Sequence, residues 1–116
     1  MKPTAAALRL CVLTVSALLA VAAPCTEPEY VIRILDHRFV PAELHIPSGR
    51  KVRIVIENED PNAEEFDSHS LNREKHVPPA SRVVLFIGPL EAGRYVYEGE
   101  NDGGHGGAAL GVVVAD

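Results

Sequence analysis

The chain has 116 residues, of which 16 are acidic and 11 are basic, and 47% are hydrophobic. This length suits a single domain with one core and is too short for two domains of ordinary size. The formal net charge of −5 argues against a nucleic-acid-binding or anionic-membrane-binding protein, because an acidic surface repels phosphate and concentrates cations.

The first 22 residues have the pattern of a secretory signal peptide. Lys2 and Arg9 precede an apolar run over residues 10–20, and small residues follow it. The run is shorter than the ~20 residues that a membrane-spanning helix requires, so a retained anchor is not expected. We therefore expect export to the periplasm, cleavage of residues 1–22 and no membrane insertion of the mature chain, which keeps nine basic and 16 acidic residues and a net charge near −7.

Cysteine usage excludes an internal disulfide in the mature chain. Cys11 leaves with the signal peptide, so Cys25 is then the only cysteine. It lies in an expected N-terminal tail over residues 23–29, ahead of a domain over residues 30–116. We expect a free thiol there. A lipid anchor is the alternative, although Pro24 stands where a small residue is required.

The remainder of the chain has the pattern of an all-β protein, with short β-branched segments separated by Gly, Pro and Asn. In the clearest segment, residues 50–57, we expect Val52, Ile54 and Ile56 to face the core. Residues 82–87 are apolar on both faces, which predicts a central strand. Six or seven strands are expected, the others being residues 31–35, 44–46, 94–98 and 110–114.

Three segments together resemble the cupredoxin superfamily. They are Phe39-Val40-Pro41 with the strand and Asn58 that follow, then Gly93-Arg94-Tyr95, and finally Gly111-Val112-Val113-Val114. The resemblance covers residues 30–116 and implies a cupredoxin-like Greek-key β-sandwich of about seven strands. Cupredoxins hold copper at one pole through two His, a Cys and a weak axial Met.

The sulfur ligands of a blue-copper centre are missing from this pole. Met1 is the only methionine and leaves with the signal peptide, while Cys25 precedes the first predicted strand. Where the family has its copper-binding cysteine this chain has Gly99, and where the family has its first histidine it has Glu64. A type 1 blue-copper site is therefore excluded by ligand chemistry.

The residues that replace those ligands resemble the EfeO-type cupredoxin-like domains of bacterial high-affinity iron-uptake systems. The last matching block departs from that branch, because Gly99-Glu100 leads into a glycine-rich segment bearing His105 instead of Gly-Glu-Phe-His. The resemblance implies iron handling and leaves the metal and one ligand open. The matching blocks are residues 64–71 (Glu64-Glu65-Phe66-Asp67-Ser68-His69-Ser70-Leu71), Glu74-Lys75, Gly88-Pro89-Leu90 and Gly93-Arg94-Tyr95.

Two acidic, histidine-bearing segments are expected on loops and strand ends that meet at this pole. Carboxylates with one or two imidazoles suit iron or manganese, and Cu(II) also accepts histidine. We therefore expect a bound metal ion, iron first and copper second, with solvated loop acids as the alternative interpretation. The candidate ligands are Glu64, Glu65, Asp67, His69, Glu98, Glu100, Asp102 and His105.

Three other histidines, His37, His45 and His76, are expected on the surface. Tyr95 is expected to lock a strand corner through its hydroxyl. Phe66 and Leu71 are expected to pack in the core and orient the neighbouring acids.

The sequence thus predicts a periplasmic metal-binding protein that assists metal uptake or delivery beside a periplasmic or membrane transport partner. An enzyme is not expected, because Ser68-His69-Ser70 lacks the strand-turn-helix setting and the partner of a nucleophile. Two alternatives stay open. One is an electron-transfer cupredoxin with an atypical copper site, and the other is a metal-free interaction module that docks on a transport partner.

Overall fold

The computed structural model describes residues 20–101 and 107–116, which form nine β-strands. Most of the predicted signal peptide, Asp102 and His105 lie outside these residues. Within them, no helix is long and apolar enough to cross a membrane. The strands are β1 (Tyr30–Ile34), β2 (Phe39–Val40), β3 (Glu43–Ile46), β4 (Val52–Asn58), β5 (Glu64–Ser68), β6 (Arg73–Val77), β7 (Ser81–Ile87), β8 (Gly93–Asn101) and β9 (Ala109–Ala115).

The strands form two sheets packed as a sandwich. The four-stranded sheet has the order β2-β1-β4-β7, and the five-stranded sheet has the order β3-β9-β8-β5-β6. The β1–β4 and β3–β9 pairs are parallel, and the other ladders are antiparallel. The all-β sandwich predicted from the sequence is confirmed, with nine described strands in place of about seven.

The core between the sheets follows from the alternation of side chains along each strand. Val52, Ile54 and Ile56 of β4 are buried, as predicted, while Arg53 between them is exposed. His45 lies between the buried Leu44 and Ile46 of β3 and is exposed, which was also predicted.

An aromatic cluster fills the core beneath the five-stranded sheet. The Tyr97 ring lies 4.8 Å from Phe39 and 4.7 Å from Phe66 between ring centroids. Gly111 is the cross-strand neighbour of Tyr97, and a Cβ there would stand 2.2 Å from the ring. Only glycine therefore leaves room for Tyr97 at this position.

Several predictions about single residues are confirmed. The Tyr95 hydroxyl donates a hydrogen bond of 2.9 Å to the Glu91 carbonyl oxygen, which ties the start of β8 to the preceding loop. Phe66 and Leu71 are buried in the core cluster. Cys25 is exposed and forms no disulfide within the described residues, whereas its being a free thiol and not a lipid anchor stays a prediction.

The predicted strand arrangement is wrong in two respects. Strand β7 is an edge strand of the four-stranded sheet, not a central one. Its outward Phe86 is half-exposed, with the Lys51 ammonium 4.9 Å above the ring, so a basic neighbour covers part of the apolar surface. In addition, β5 and β6 are strands in a segment for which no strand was predicted. The inward row of β5 contains Glu64 and Ser68, so its sequence lacks the hydrophobic alternation of a strand.

Candidate metal site

Strand β5 divides the predicted ligands between the two faces of the five-stranded sheet. The Glu64 side chain points inward and is 2% exposed, whereas Glu65 and Asp67 belong to the outward row. These acids were predicted on loops and strand ends; Glu64 is the first residue of β5, as that prediction allows, whereas Glu65 and Asp67 lie within the strand. The six candidates that lie in the described residues therefore do not form one cluster but fall in two separate places.

The first place is a carboxylate ladder on the outer face of the sheet, formed by Glu65, Asp67, Glu98 and Glu100. Glu65 lies directly opposite Glu100, and Asp67 lies directly opposite Glu98. In the described part of the chain, no Lys or Arg forms an ion pair with any of the four. Like charges directly opposite each other destabilise a sheet, so the arrangement opposes folding locally.

Two histidines border the carboxylate ladder. The His76 Nδ1 atom lies 3.0 Å from the Glu65 Oε2 atom, and His69 lines a shallow depression with Asp67 and Glu98. Across residues 20–101 and 107–116, however, no three His, Cys, Asp or Glu side chains are arranged to hold a metal ion. The ladder is thus not a preformed metal site, and the assignment of these residues as ligands stays a prediction.

The second place is a pole cleft at one end of the sandwich, where His37 and Glu64 meet. The His37 Nδ1 atom lies 3.0 Å from both carboxylate oxygens of Glu64. Oε2 makes the hydrogen bond, while the buried Oε1 accepts none. On the other side of the ring, Nε2 lies 2.6 Å from the Gly107 carbonyl oxygen.

The chemistry of these partners favours a protonated His37. A carboxylate and a carbonyl oxygen both accept hydrogen bonds, and only the protonated ring has two N–H donors to satisfy both. The Gly107 carbonyl, and next to it the Glu64 carboxylate, raise the pKa of His37 above its ordinary value. The prediction that His37 is a surface residue is wrong, since its side chain is only 18% exposed. The expectation is correct for His45 and His76.

A strained turn places His37 in the cleft. Asp36 and His37 are the two central residues of the turn between β1 and β2, with φ angles of 51° and 54°. Two backbone hydrogen bonds between Leu35 and Arg38 close this turn. Turns of this kind favour Asn, Asp and Gly, and a positive φ is uncommon for a residue with a side chain as large as that of His37. The Asp60 carboxylate accepts hydrogen bonds of 2.8 Å from the backbone N–H of both residues. Asp60 thereby stabilises the turn that carries the imidazole.

Asn58, at the end of core strand β4, anchors Asp60 in turn. Its Oδ1 atom accepts a 3.0 Å hydrogen bond from the Asp60 backbone N–H, and its Nδ2 atom donates to the Asn62 carbonyl oxygen at 2.8 Å. Asn58 is 2% exposed, so this amide is fixed by the core. A continuous set of hydrogen bonds therefore connects the β4 core strand to the His37 turn.

Gly99 of β8 provides the space for the Glu64 carboxylate. A Cβ at residue 99 would stand 2.6 Å from the Glu64 Oε1 atom and 2.6 Å from the Phe39 Cζ atom. Gly99 and Glu64, the positions that the cupredoxin resemblance assigns to the copper-binding cysteine and the first histidine, therefore lie next to each other. One of them has lost its side chain, and the other carries a carboxylate.

The sequence matches the family described as cupredoxin-like domain over residues 6–114. The chain belongs to the cupredoxin-like domain family. Its resemblance to the EfeO-type branch stays a prediction. An uncharacterised protein, RP394, of Rickettsia prowazekii (strain Madrid E) is 42% identical over 72 residues. That match covers 62% of this chain and 58% of the relative, so the chain spans less than two thirds of that protein.

Solved cupredoxin structures share the fold. Auracyanin from Roseiflexus castenholzii has a TM-score of 0.60 at 12% identity, covering 76% of this chain and 96% of auracyanin. Amicyanin from Paracoccus versutus has a TM-score of 0.56 at 15% identity, covering 80% of this chain and 86% of amicyanin. A chain of a heme-copper terminal oxidase dimer has a TM-score of 0.57 at 21% identity, and the match covers 76% of this chain but only 63% of that chain.

The described residues of this cupredoxin-like protein do not fit a blue-copper centre. The Cys25 thiol is exposed and precedes β1, and the cysteine position in β8 is a glycine. They do fit a sulfur-free site, because a buried carboxylate oxygen without a hydrogen bond faces an imidazole nitrogen. Carboxylate and imidazole ligands suit iron, manganese or copper ions.

Sequence reasoning missed His37, although one signal could have identified it. Asp36-His37 lies between two apolar segments, and Asp and His are among the non-glycine residues enriched at the positive φ of a tight turn. A histidine in such a turn is a reason to look for a role in function.

Proposed function

We propose that this exported cupredoxin-like protein binds a metal ion, iron first and copper second, and assists its uptake or delivery. The observation that supports this most is the buried Glu64 carboxylate, which has an oxygen without a hydrogen bond and faces an imidazole at the family's copper-binding pole. A buried carboxylate oxygen is costly to leave unsatisfied, so a ligand there has a physical reason to bind.

The ligand chemistry supports delivery more than storage. A site with few protein side chains holds its ion in an exchangeable way, because water fills the other coordination positions. Iron tolerates carboxylate ligands, and Cu(II) tolerates carboxylate with imidazole. We further propose that the protein acts in the periplasm beside a periplasmic or membrane transport partner and that it is not an enzyme.

Metal titration of the purified apo-protein tests this function. Fe(II) under anaerobic conditions, Cu(II) and Mn(II) are each titrated by isothermal titration calorimetry at fixed pH. We expect at least one of iron and copper to bind well below millimolar concentration. Affinities no better than millimolar for all three ions would overturn the proposal.

Electron transfer with an atypical copper site is the alternative that membership of the cupredoxin-like family itself suggests. The thiolate that gives blue-copper centres their electronic properties has no counterpart here. Under our proposal, Cu(II)-loaded protein lacks an intense charge-transfer band in the visible spectrum. An intense band would favour electron transfer instead.

A metal-free interaction module is a second candidate, and the carboxylate ladder favours it. Natural sheets avoid like charges in direct opposition, so their retention at Glu65–Glu100 and Asp67–Glu98 is consistent with a role. The exposed Leu110 lies directly opposite Glu98, as an apolar contact beside the acids. Salt-sensitive binding of a lysine-rich peptide that is lost in Glu65→Gln/Asp67→Asn protein, with metal affinity unchanged, would support this candidate.

A further inference from the structure

Two imidazole–carboxylate pairs with the same contact distance involve adjacent residues of β5, and they differ in burial. In the pole cleft, the His37 and Glu64 side chains are 18% and 2% exposed. On the outer face, the His76 and Glu65 side chains are 57% and 34% exposed. In both pairs Nδ1 lies 3.0 Å from a carboxylate oxygen. The first pair is thus enclosed by protein, and the second is an ordinary surface pair.

The separation of the atoms in the enclosed pair matches that of two ligands of one metal ion. Two ligand atoms that each lie about 2.1 Å from a metal at a right angle are about 3.0 Å apart. The His37 Nδ1 atom lies 3.0 Å from both Oε1 and Oε2 of Glu64, so either oxygen meets this separation.

The other nitrogen of the His37 ring has the partner that a metal-bound histidine normally has. A histidine that coordinates a metal through one ring nitrogen donates its other N–H to a backbone carbonyl, a carboxylate or water, which fixes the ring orientation. Here Nε2 lies 2.6 Å from the Gly107 carbonyl oxygen. The Nδ1 atom, which faces Glu64, is therefore the ligand atom that remains, and the metal ion takes the place of the proton that Nδ1 carries in the apo-protein, which is released to solvent.

The surrounding structure holds both side chains in place before any ion binds. Asp60 stabilises the positive-φ turn that carries His37, and Gly99 leaves room for the Glu64 Oε1 atom. The cleft beside the pair, with Asp60 and Asn101 on its walls, is open to solvent. Strain that is retained and supported in this way is a common feature of binding sites.

We propose that His37 Nδ1 and the Glu64 carboxylate together bind the metal ion, a borderline divalent cation such as Fe(II) or Cu(II). The inference rests on the proposed function and names the ligands of its site, one of which the sequence placed on the surface. Within the described residues, no third His, Cys, Asp or Glu side chain joins the pair. Water from the cleft fills the remaining positions, and the ion stays exchangeable.

Matched variants of the two pairs test this inference in the full mature chain. In the pole cleft these are His37→Asn, since Asn tolerates the positive φ at residue 37, and the isosteric Glu64→Gln. The control variants are His76→Asn and Glu65→Gln on the outer face. Fe(II) and Cu(II) affinities are measured by calorimetry, and nitrogen superhyperfine splitting is recorded in the electron paramagnetic resonance spectrum of the Cu(II) form.

We expect His37→Asn and Glu64→Gln each to weaken metal binding roughly tenfold or more, and the two control variants to leave it nearly unchanged. The nitrogen splitting should disappear in His37→Asn protein and persist in His76→Asn protein. If Glu64→Gln protein fails to fold, as judged by circular dichroism, the His37→Asn result decides.

One result would overturn this inference and leave the proposed function standing. In that result the wild-type protein binds metal, and His37→Asn protein binds it with the same affinity and the same nitrogen splitting. Wild-type protein that binds neither ion below millimolar concentration would overturn the proposed function itself, together with its ligands.

Discussion

Glu64 of the pole cleft and Glu65 of the carboxylate ladder are adjacent in the sequence, but they differ in burial and in the charge of their neighbours. Glu64 is enclosed, and His37, Phe39 and Gly99 surround its carboxylate. Glu65 faces the solvent side of the same strand, where its cross-strand neighbour Glu100 carries the same charge. The difference shows that acidic residues in a row do not form a site merely by being adjacent. Because successive side chains of a strand point to opposite faces of the sheet, Glu64 enters the interior and Glu65 faces outward.

The two regions also differ in how much structure is arranged around them. The cleft depends on a supported turn, a glycine and an anchored asparagine, and each of these costs stability or restricts the sequence. The ladder requires only that β5 and β8 pair in register. Substitutions in the cleft should therefore affect stability strongly, and substitutions in the ladder weakly or in the opposite direction.

The largest effect is expected for Gly99→Ala. The new Cβ would stand 2.6 Å from both the Glu64 Oε1 and the Phe39 Cζ atoms, so side chains must shift in a packed region. We expect a loss of about 1–3 kcal/mol in the free energy of unfolding, measured by urea denaturation. Gly93→Ala in the same strand is the control, since its nearest contact would be an ordinary 3.8 Å. Equal effects of the two substitutions would mean that the cleft is not tightly packed.

The next effect is expected for Asp60→Ala, which removes both acceptors of the turn that carries His37. The loss of two hydrogen bonds at a strained turn should lower the free energy of unfolding by about 1–3 kcal/mol. Metal affinity should fall as well, because the imidazole is no longer held in position. Asp67→Ala in the ladder is the matched control and should not destabilise the protein. A similar loss in both variants would contradict the contrast between the two regions.

A smaller effect of opposite sign is expected in the carboxylate ladder. Glu98→Gln combined with Glu100→Gln leaves each cross-strand pair with a single charge and keeps the His76–Glu65 contact, which should raise the free energy of unfolding by roughly 0.2–1 kcal/mol. The gain should shrink at high salt, where exposed charges are screened. Thermal melts at low and high ionic strength measure both effects. Glu59→Gln is the control, since Glu59 pairs with Arg33 and its loss should not stabilise.

The smallest effect is expected in the pH dependence of stability of the apo-protein. The Gly107 carbonyl and Glu64, with a Coulombic contribution from Asp60, raise the pKa of His37 in the folded state. The folded protein therefore binds this proton more tightly than the unfolded chain. The resulting stability is fully present below the ordinary histidine pKa and is lost as pH rises through the raised value.

Urea denaturation across this pH range measures the free energy of unfolding of wild-type and His37→Asn protein. The difference between the two proteins is the contribution of His37, and we expect it to decline with rising pH. The His37 ring signal, followed by nuclear magnetic resonance, should titrate with a pKa above that of an ordinary histidine. A difference that stays constant with pH, or grows as pH rises, would show that the His37–Glu64 contact does not form in solution.

Much of the fold could be predicted from the sequence, because local patterns carry that information. The alternation of Val52, Ile54 and Ile56 identifies β4 directly, and the Tyr95 hydroxyl contact spans only four residues. Strand β5 escaped prediction because its inward row contains a carboxylate and a hydroxyl. The edge position of β7 also escaped, since apolar side chains on both faces of a strand, including Phe86 beneath Lys51, do not show whether a neighbouring strand pairs with its edge.

The candidate site was harder to predict because its contacts are distant in sequence. His37 meets Glu64 across 27 residues and Gly107 across 70 residues, and neither distance leaves a local pattern. Glu64 could be selected as a ligand only by analogy with the copper-binding position of cupredoxins. Which acids share a face depended on the register of β5 against β8, which composition does not determine.

The most direct test of the central claim is anomalous diffraction from crystals of the mature protein soaked with Fe(II) or Cu(II), recorded on both sides of the metal absorption edge. The account predicts an anomalous peak in the pole cleft within bonding distance of His37 Nδ1 and the Glu64 carboxylate. A peak on the outer face between Glu65 and Glu100, with none in the cleft, would contradict it.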